Sequence, residues 1–568
     1  MKQLNIKTEY LIIAVFVIAK MTLHFIANSS SGYDGDEVMY IDSGNHLAFG
    51  YMSFQPLIGF MAWIQNLFNS ESLLVNHIFA NLASIIIIIL LGLITLELGG
   101  SWKALLLCLS CFFVAPAFGI SHNAFQPTVF DQLFWILCFY VLVRYNKNPQ
   151  NKFLIYLAIF AALGFMSKVS IVFFLGGLFV SFIIFKPAVF KGKYTWIALS
   201  LFLILISPNI IWQIKNNYPV IFHMLQLKKT VLNDHSIIDN IKNLVLSLNP
   251  LTIIVWFAGF IIVPFSTKYK NLRLVSFAMF FSIIILAILR AIHEYYYPIV
   301  LFGFCIGSVY IEDLFKKRNV IINIYIVLLL LSGIYVIPQS IPVLPLERYI
   351  QLKRLETKNS QHESSMPGTN LTTTENKSKL EEWIPVDYEA YYAKTDGEKM
   401  VLEIKNIYDS LPADESKTCL IYSDCYTYAG AVNMYGRKYN LPKAFSYHAA
   451  YYAWTPDFEK GISIIFIDNS YKKEDVYSRM GYYKSFFNDV QVKKYMFCQY
   501  AHIEIFTNLF ILYCKDLKYN SGEMKTMFKD RVFGYPPLPM CEKKHILSLF
   551  SRSCIVCKIQ EYKRKLKN

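Results

Sequence analysis

The stretch Tyr33-Asp34-Gly35-Asp36-Glu37-Val38-Met39-Tyr40 follows directly on the first apolar block of the chain, near residues 10–27. It sets Asp34, Asp36 and Glu37 at a membrane surface, and no Lys or Arg occurs between Ala27 and Glu71 to pair with them. Acids with no cation in their own loop are poor material for a salt bridge. They suit a base or a metal ligand acting on a substrate held at the lipid boundary. Asp34 has the plainer alternative of capping the turn through Gly35, and Asp36 and Glu37 that of a solvated loop face.

The rest of the sequence supplies the membrane. Of 568 residues, 55% are hydrophobic and only 17% charged, outside the range of an ordinary soluble domain. The apolar residues fall into about eleven blocks long enough to cross the hydrocarbon layer. They lie near 10–27, 73–96, 102–119, 129–143, 153–166, 169–185, 194–212, 250–265, 274–289, 295–311 and 319–337. The two short blocks around Lys168 are also readable as one re-entrant hairpin. No small-residue cleavage site follows the first block, so it is expected to stay as an anchor.

Loop charge sets the orientation. With the N-terminus inside, inner loops carry Lys103, Arg144, Lys147, Lys152, Lys186, Lys191, Lys193, Lys268, Lys270, Arg273, Lys316, Lys317 and Arg318. Outer loops 28–71 and 120–128 carry no Lys or Arg, whereas loop 213–248 breaks the pattern with Lys215, Lys228, Lys229 and Lys242. The positive-inside rule gives a cytoplasmic N-terminus, and an odd span count places the C-terminal part outside. The expected division is a membrane domain over 1–340, a polar linker over 341–398, an extracytoplasmic α/β domain over 399–535 and a basic, Cys-containing tail over 536–568. In the α/β domain, 400–411 and 475–488 read as helical, 418–422 and 462–467 as buried strands, and 503–513 as a strand pair.

The net charge of +15 is mostly inner-loop and tail charge. On an outer segment it suits lipid headgroups and excludes nucleic acid as a partner. Cys108, Cys111, Cys138 and Cys305 read as small core residues, and Cys419, Cys425, Cys498 and Cys514 allow one or two disulfides. Cys541, His545, Cys554 and Cys557 have a loose zinc-like spacing and weak force as a site.

Topology brings three features to the outer face. The first is the acidic loop with His46 and Gln55. The second is the turn Ser121-His122-Asn123-Ala124-Phe125-Gln126-Pro127-Thr128, with Asp131 just beyond. The third is basic and aromatic: Lys168, Arg290, His293, Tyr295 and Tyr296. Carboxylates beside cations at a membrane surface fit transfer of a group from a phosphate-bearing lipid, with a base deprotonating the incoming hydroxyl and fixed positive charge steadying the departing phosphate. The plainer readings are snorkelling for Lys168 and an aromatic belt for the tyrosines.

Asp36-Glu37-Val38-Met39-Tyr40, His46-Leu47-Ala48-Phe49-Gly50-Tyr51 and Gln55-Pro56-Leu57 resemble the first outer loop of bacterial family-39 glycosyltransferases, related to protein O-mannosyltransferases and aminoarabinose transferases. The likeness runs on through Asn123–Pro127, Gly164–Lys168, Ser207–Gln213, Leu248–Thr252 and Tyr295–Pro298, and into the outer domain at Tyr428–Ala431, Tyr439–Pro442, His448 and Trp454–Pro456. It covers about residues 8–535. It implies the GT-C fold and an inverting transferase that takes a sugar from a polyprenyl-phosphate donor to a hydroxyl on a lipid or surface glycan, at the outer face of a bacterial inner membrane. By position, Asp36 and Glu37 match the loop acids, one of them the base, Lys168 a lysine that approaches the lipid phosphate, and His293 a basic position before the paired tyrosines. Gln126 departs from the pattern, because the second outer loop usually has an acid before its Pro; Asp131, one turn on, is a candidate substitute. The loop is compatible with metal-free catalysis or with a divalent cation, Mg2+ or Mn2+. The competing readings are a non-catalytic scaffold or sensor on a transferase fold and a lipid-linked-sugar flippase, although no repeated halves support the latter.

Overall fold

The long apolar runs form a bundle whose buried centre and lipid-facing rim differ plainly. In this computed structural model, which describes residues 7–230, 237–352, 396–470, 473–501 and 506–533, six helices are long and apolar enough to cross a membrane, and a pair bent by 93°, Ile237–Ser247 with Pro250–Phe260, forms a seventh candidate. The helices Pro127–Lys147 and His293–Leu314 have 72% and 78% of their apolar stretch buried, so they stand at the centre. Helix α1 (Thr8–Ser30), Lys193–Lys215 and Val320–Ser340 have only 22–28% buried and form the rim. Trp102–Phe113, Asn151–Ser167, Ile171–Phe185 and Arg273–Ile288 are apolar but shorter.

Several blocks resolve differently from their sequence reading. The block at 102–119 breaks after Phe113, because Pro116 opens a second short helix, Pro116–Ile120. The fully buried Lys20 of α1 donates to the Phe118 carbonyl at 2.7 Å, which gives that broken segment a partner inside the bundle. The two blocks around Lys168 are separate helices, with Lys168 in the turn between them. Ile253–Phe265 packs backbone to backbone on Tyr297–Leu314: a Cβ on Gly307 would sit 1.8 Å from the Val255 carbonyl oxygen.

The C-terminal domain, called outer after the side of the membrane expected for it, carries a five-stranded sheet in the order β2-β1-β3-β5-β4. Its strands are β1 (Leu420–Ser423), β2 (Ala444–Phe445), β3 (Ile464–Ser470), β4 (Phe487–Phe497) and β5 (Asn508–Leu517). β1 runs parallel to β2 and β3, whereas β5 is antiparallel to both β3 and β4. The expected strands at 418–422 and 462–467 are β1 and β3. The helix expected over 475–488 is two short ones, Asp475–Ser478 and Met480–Phe486, and the strand pair expected within 503–513 is β5 joined to β4. Cys419 and Cys514 are buried free thiols, so neither forms a bridge. Most of the linker and all of the tail over 536–568, with its Cys and His positions, lie outside the described residues.

One side of the sheet has a core of its own, built on Phe445, Tyr447, Phe466 and Leu512. The other side carries Tyr428, Val432 and Tyr451 into a core continuous with that of the membrane helices. The helix Tyr426–Tyr435 makes this junction, resting on helix α2 (Gly35–Asp42). Gly430 allows the approach, since a Cβ there would lie 2.6 Å from Cγ2 of Val38. Gly430→Val should therefore loosen the docking at a cost of about 1–3 kcal/mol, read as faster protease cleavage of the outer domain in the detergent-solubilised chain.

Candidate active site at the outer face

The loop over 28–71 is largely helical, and its acids face different ways. Asp34 is the N-cap of α2: its side chain accepts from the Asp36 amide, and Glu37 Oε2 accepts the Asp34 amide at 3.2 Å. This reciprocal capping box fixes the start of the helix. A second helix, α3 (Pro56–Asn66), closes the segment.

Glu37 turns inward and is only 1% exposed. Its Oε1 lies 2.5 Å from His77 Nε2 and accepts the Phe125 amide at 2.7 Å, while His77 Nδ1 meets Asn28 Oδ1 at 3.0 Å. The sequence reading left these acids without a cationic partner. The side chain that meets Glu37, His77, comes from the start of the next span. Glu37 thus ties the first outer segment to the second.

Asp34 and Asp36 remain half-buried. Burial raises the proton affinity of both; Asp36 and Glu37 add to the effect on Asp34, while the Tyr426 hydroxyl opposes it at Asp36. Gln126, the departure from the family pattern, donates its amide to Asp34 Oδ1 at 3.4 Å. An acid at 126 would set a third carboxylate against this cluster. Gln126→Glu should make the melting temperature of the purified chain fall more steeply than that of the wild type between about pH 5 and pH 8, because two carboxylates in contact share a proton that rising pH removes.

The cationic side is assembled around the turn between Asn151–Ser167 and Ile171–Phe185. Lys168 Nζ lies 4.8 Å from the Tyr295 ring centroid and donates to Thr128 Oγ1 at 3.3 Å. Asp131, fully inside the bundle, accepts from Ser170 Oγ at 2.7 Å and Trp135 Nε1 at 3.0 Å, and lies within electrostatic reach of Lys168. Glu294 stands within electrostatic reach of both sides, where it repels Asp34 and Asp36 and attracts Lys168. Sequence reading passed over Glu294 although it stands between His293 and Tyr295; the signal available was an acid flanked by residues already singled out.

The remaining candidates are scattered. Arg290 and Tyr296 line a cavity of 540 Å3 whose other walls, including Ile241, Trp256, Phe280 and Val300, are almost entirely apolar. Arg290 holds a left-handed backbone, φ 54°, that reverses the chain after Arg273–Ile288. His293 packs edge-on against Tyr297. His46 stacks flat on Trp454 of the outer domain, with ring centroids 4.5 Å apart, and burial lowers its proton affinity. Gln55 is buried at the start of α3, and among the described residues nothing bonds its Oε1. Asn123 is half-buried in the second loop. Among the described residues no three His, Cys, Asp or Glu side chains converge closely enough to hold a metal ion.

These features define a class: a multi-pass helical membrane protein with a small sheet domain seated on the segment that follows its first span. A family model described as dolichyl-phosphate-mannose-protein mannosyltransferase matches residues 55–212, beginning just after the acidic helix. Among solved structures, ArnT from Cupriavidus metallidurans bound to undecaprenyl phosphate is similar at a TM-score of 0.51 and 10% identity, covering 88% of this chain and 97% of that one. The same protein in its apo state matches at 0.51 and 8%, with equal coverage. At such identities the likeness establishes the fold, which is of the GT-C type. No curated protein matches the chain by sequence.

Proposed function

We propose that the chain is an integral membrane glycosyltransferase that moves a sugar, with inversion, from a polyprenyl-phosphate donor to a hydroxyl of a lipid or surface glycan at the outer face of a bacterial inner membrane. The observation that carries this reading is the half-buried Asp36, held by Tyr426 at one oxygen, together with the Lys168–Tyr295 pair at the turn after Ser167. The 540 Å3 apolar cavity with Arg290 on its wall suits a lipid chain ending in a phosphate. The similarity to ArnT, whose structure holds undecaprenyl phosphate, supports the same donor class.

In this scheme Asp36 takes the proton of the acceptor hydroxyl as its oxygen bonds to the anomeric carbon. The bond from that carbon to the phosphate oxygen breaks, and polyprenyl phosphate leaves with the electron pair. Lys168 offsets the charge gathering on the phosphate. Asp36 is assigned as base in preference to Glu37, because both Glu37 oxygens are engaged by protein partners. No step is routed through a metal, since the described acids do not converge on one point.

The reading is tested by mass spectrometry of envelope lipids and glycans from cells with the gene intact and deleted. Loss of one hexose- or pentose-sized unit on deletion is the expected result. Identical profiles would leave the scaffold reading in its place.

A further inference from the structure

Building on the transferase reading, we propose that Tyr426 of the outer domain is a positioning residue for Asp36, so that the soluble domain is a working part of the active site. The Tyr426 hydroxyl donates to Asp36 Oδ1 across a sequence separation of 390 residues. The phenol is held in turn by His448, whose ring packs against it at 4.6 Å between centroids and 60°.

The attachment of the domain does not depend on this bond. Asp42 Oδ2 accepts from Asn433 Nδ2 and from the Tyr451 hydroxyl, each at 2.7 Å, and His46 stacks on Trp454. Docking is therefore secured by contacts further along the first outer segment. The Tyr426 contact falls instead on the acid assigned as the base. A phenol that donates to one carboxylate oxygen fixes the rotation of the group about Cβ–Cγ and favours its ionised form. Among the described residues no hydrogen bond reaches Oδ2, which is left to face an incoming hydroxyl.

The groups that face Asp36 set the sign of the effect. Asp34 and Tyr40 face it from α2, Glu294 from the 293–296 turn, and Tyr426 from the outer domain. Burial and Glu294 favour the protonated acid, and the Tyr426 hydroxyl opposes them. Removing that hydroxyl moves the ionisation of Asp36 to higher pH, and the acid limb of the activity profile moves with it.

The test uses the full chain in cells whose medium bathes the outer face, with the sugar-modified product measured by mass spectrometry. Tyr426→Phe keeps the ring and the fold. It should lower product about 10- to 100-fold near pH 6, the size of one hydrogen bond to a charged group, and recover much of it near pH 8. In purified protein carrying 3-fluorotyrosine at position 426, the fluorine resonance should shift on Asp36→Asn. Wild-type and Tyr426→Phe profiles that run parallel across pH, or a resonance indifferent to Asp36→Asn, would overturn the proposal. If deleting the gene leaves the envelope lipids unchanged, the transferase reading fails by itself, and the resonance alone upholds or overturns the Tyr426–Asp36 contact.

Discussion

Asp36→Asn is expected to remove sugar transfer almost completely, by about 10²- to 10⁴-fold, the usual contribution of a positioned general base. Asparagine preserves the shape of the side chain and can still accept the Tyr426 hydroxyl, so the helix and the docked domain should survive the change. The lost property is the capacity to take a proton. Lipid–glycan mass spectrometry of a strain carrying Asp36→Asn should match the deletion strain, while the amount of protein in the membrane stays at the wild-type level. A substituted strain that keeps the sugar would remove Asp36 from the chemistry and reopen the assignment of Glu37.

Glu37→Leu should have the largest effect on stability. Three groups turn to this one carboxylate: His77 Nε2, the Phe125 amide and the Asp34 amide. Leucine leaves all three without their acceptor, and the site is only 1% exposed at Glu37. Each buried donor left unpaired costs about 1–3 kcal/mol. Together these are large against the 5–15 kcal/mol that typically holds a domain folded. The expected outcome is a strongly lowered melting temperature, or loss of the monodisperse peak, for the detergent-solubilised chain. An unchanged melting temperature would show that the inward-turned carboxylate carries no weight.

The contrast between these two neighbouring acids marks what the sequence could and could not convey. It located the acidic segment at the outer end of the first span, because an apolar block followed by uncompensated carboxylates is a local pattern. It could not separate Asp36 from Glu37: their roles depend on which way each side chain points from a helix of 8 residues, and on His77 and Tyr426, far along the chain. The bundle was legible for the same reason as the segment, since long apolar runs are read one at a time. Its breaks at Pro116 and in the 237–260 pair were less so, because the sequence marks a turn without giving its angle. Strand β4 was missed because an edge strand shows weak alternation. Its Lys493 and Lys494, next to a bulge at Val492, go to the Tyr513 ring and to Glu403 rather than fill a core. Gln126 looked like a lost catalytic acid, and only its contact with Asp34 shows that an amide suits the position.

The bonds from Asn433 and Tyr451 to Asp42 join residues made at opposite ends of synthesis, up to 409 positions apart. At ordinary elongation rates of about 5–20 residues per second, the acidic helix waits roughly 20–80 s for the domain that will cover it. Throughout that interval the spans can insert and pack while Asp36 and Asp42 wait for the partners that the sheet domain brings. Assembly of this face is thus a late event, and a chain cut short anywhere before the sheet domain would keep Glu37 anchored on His77 and Phe125 but leave Asp36 and Asp42 without Tyr426, Asn433 and Tyr451.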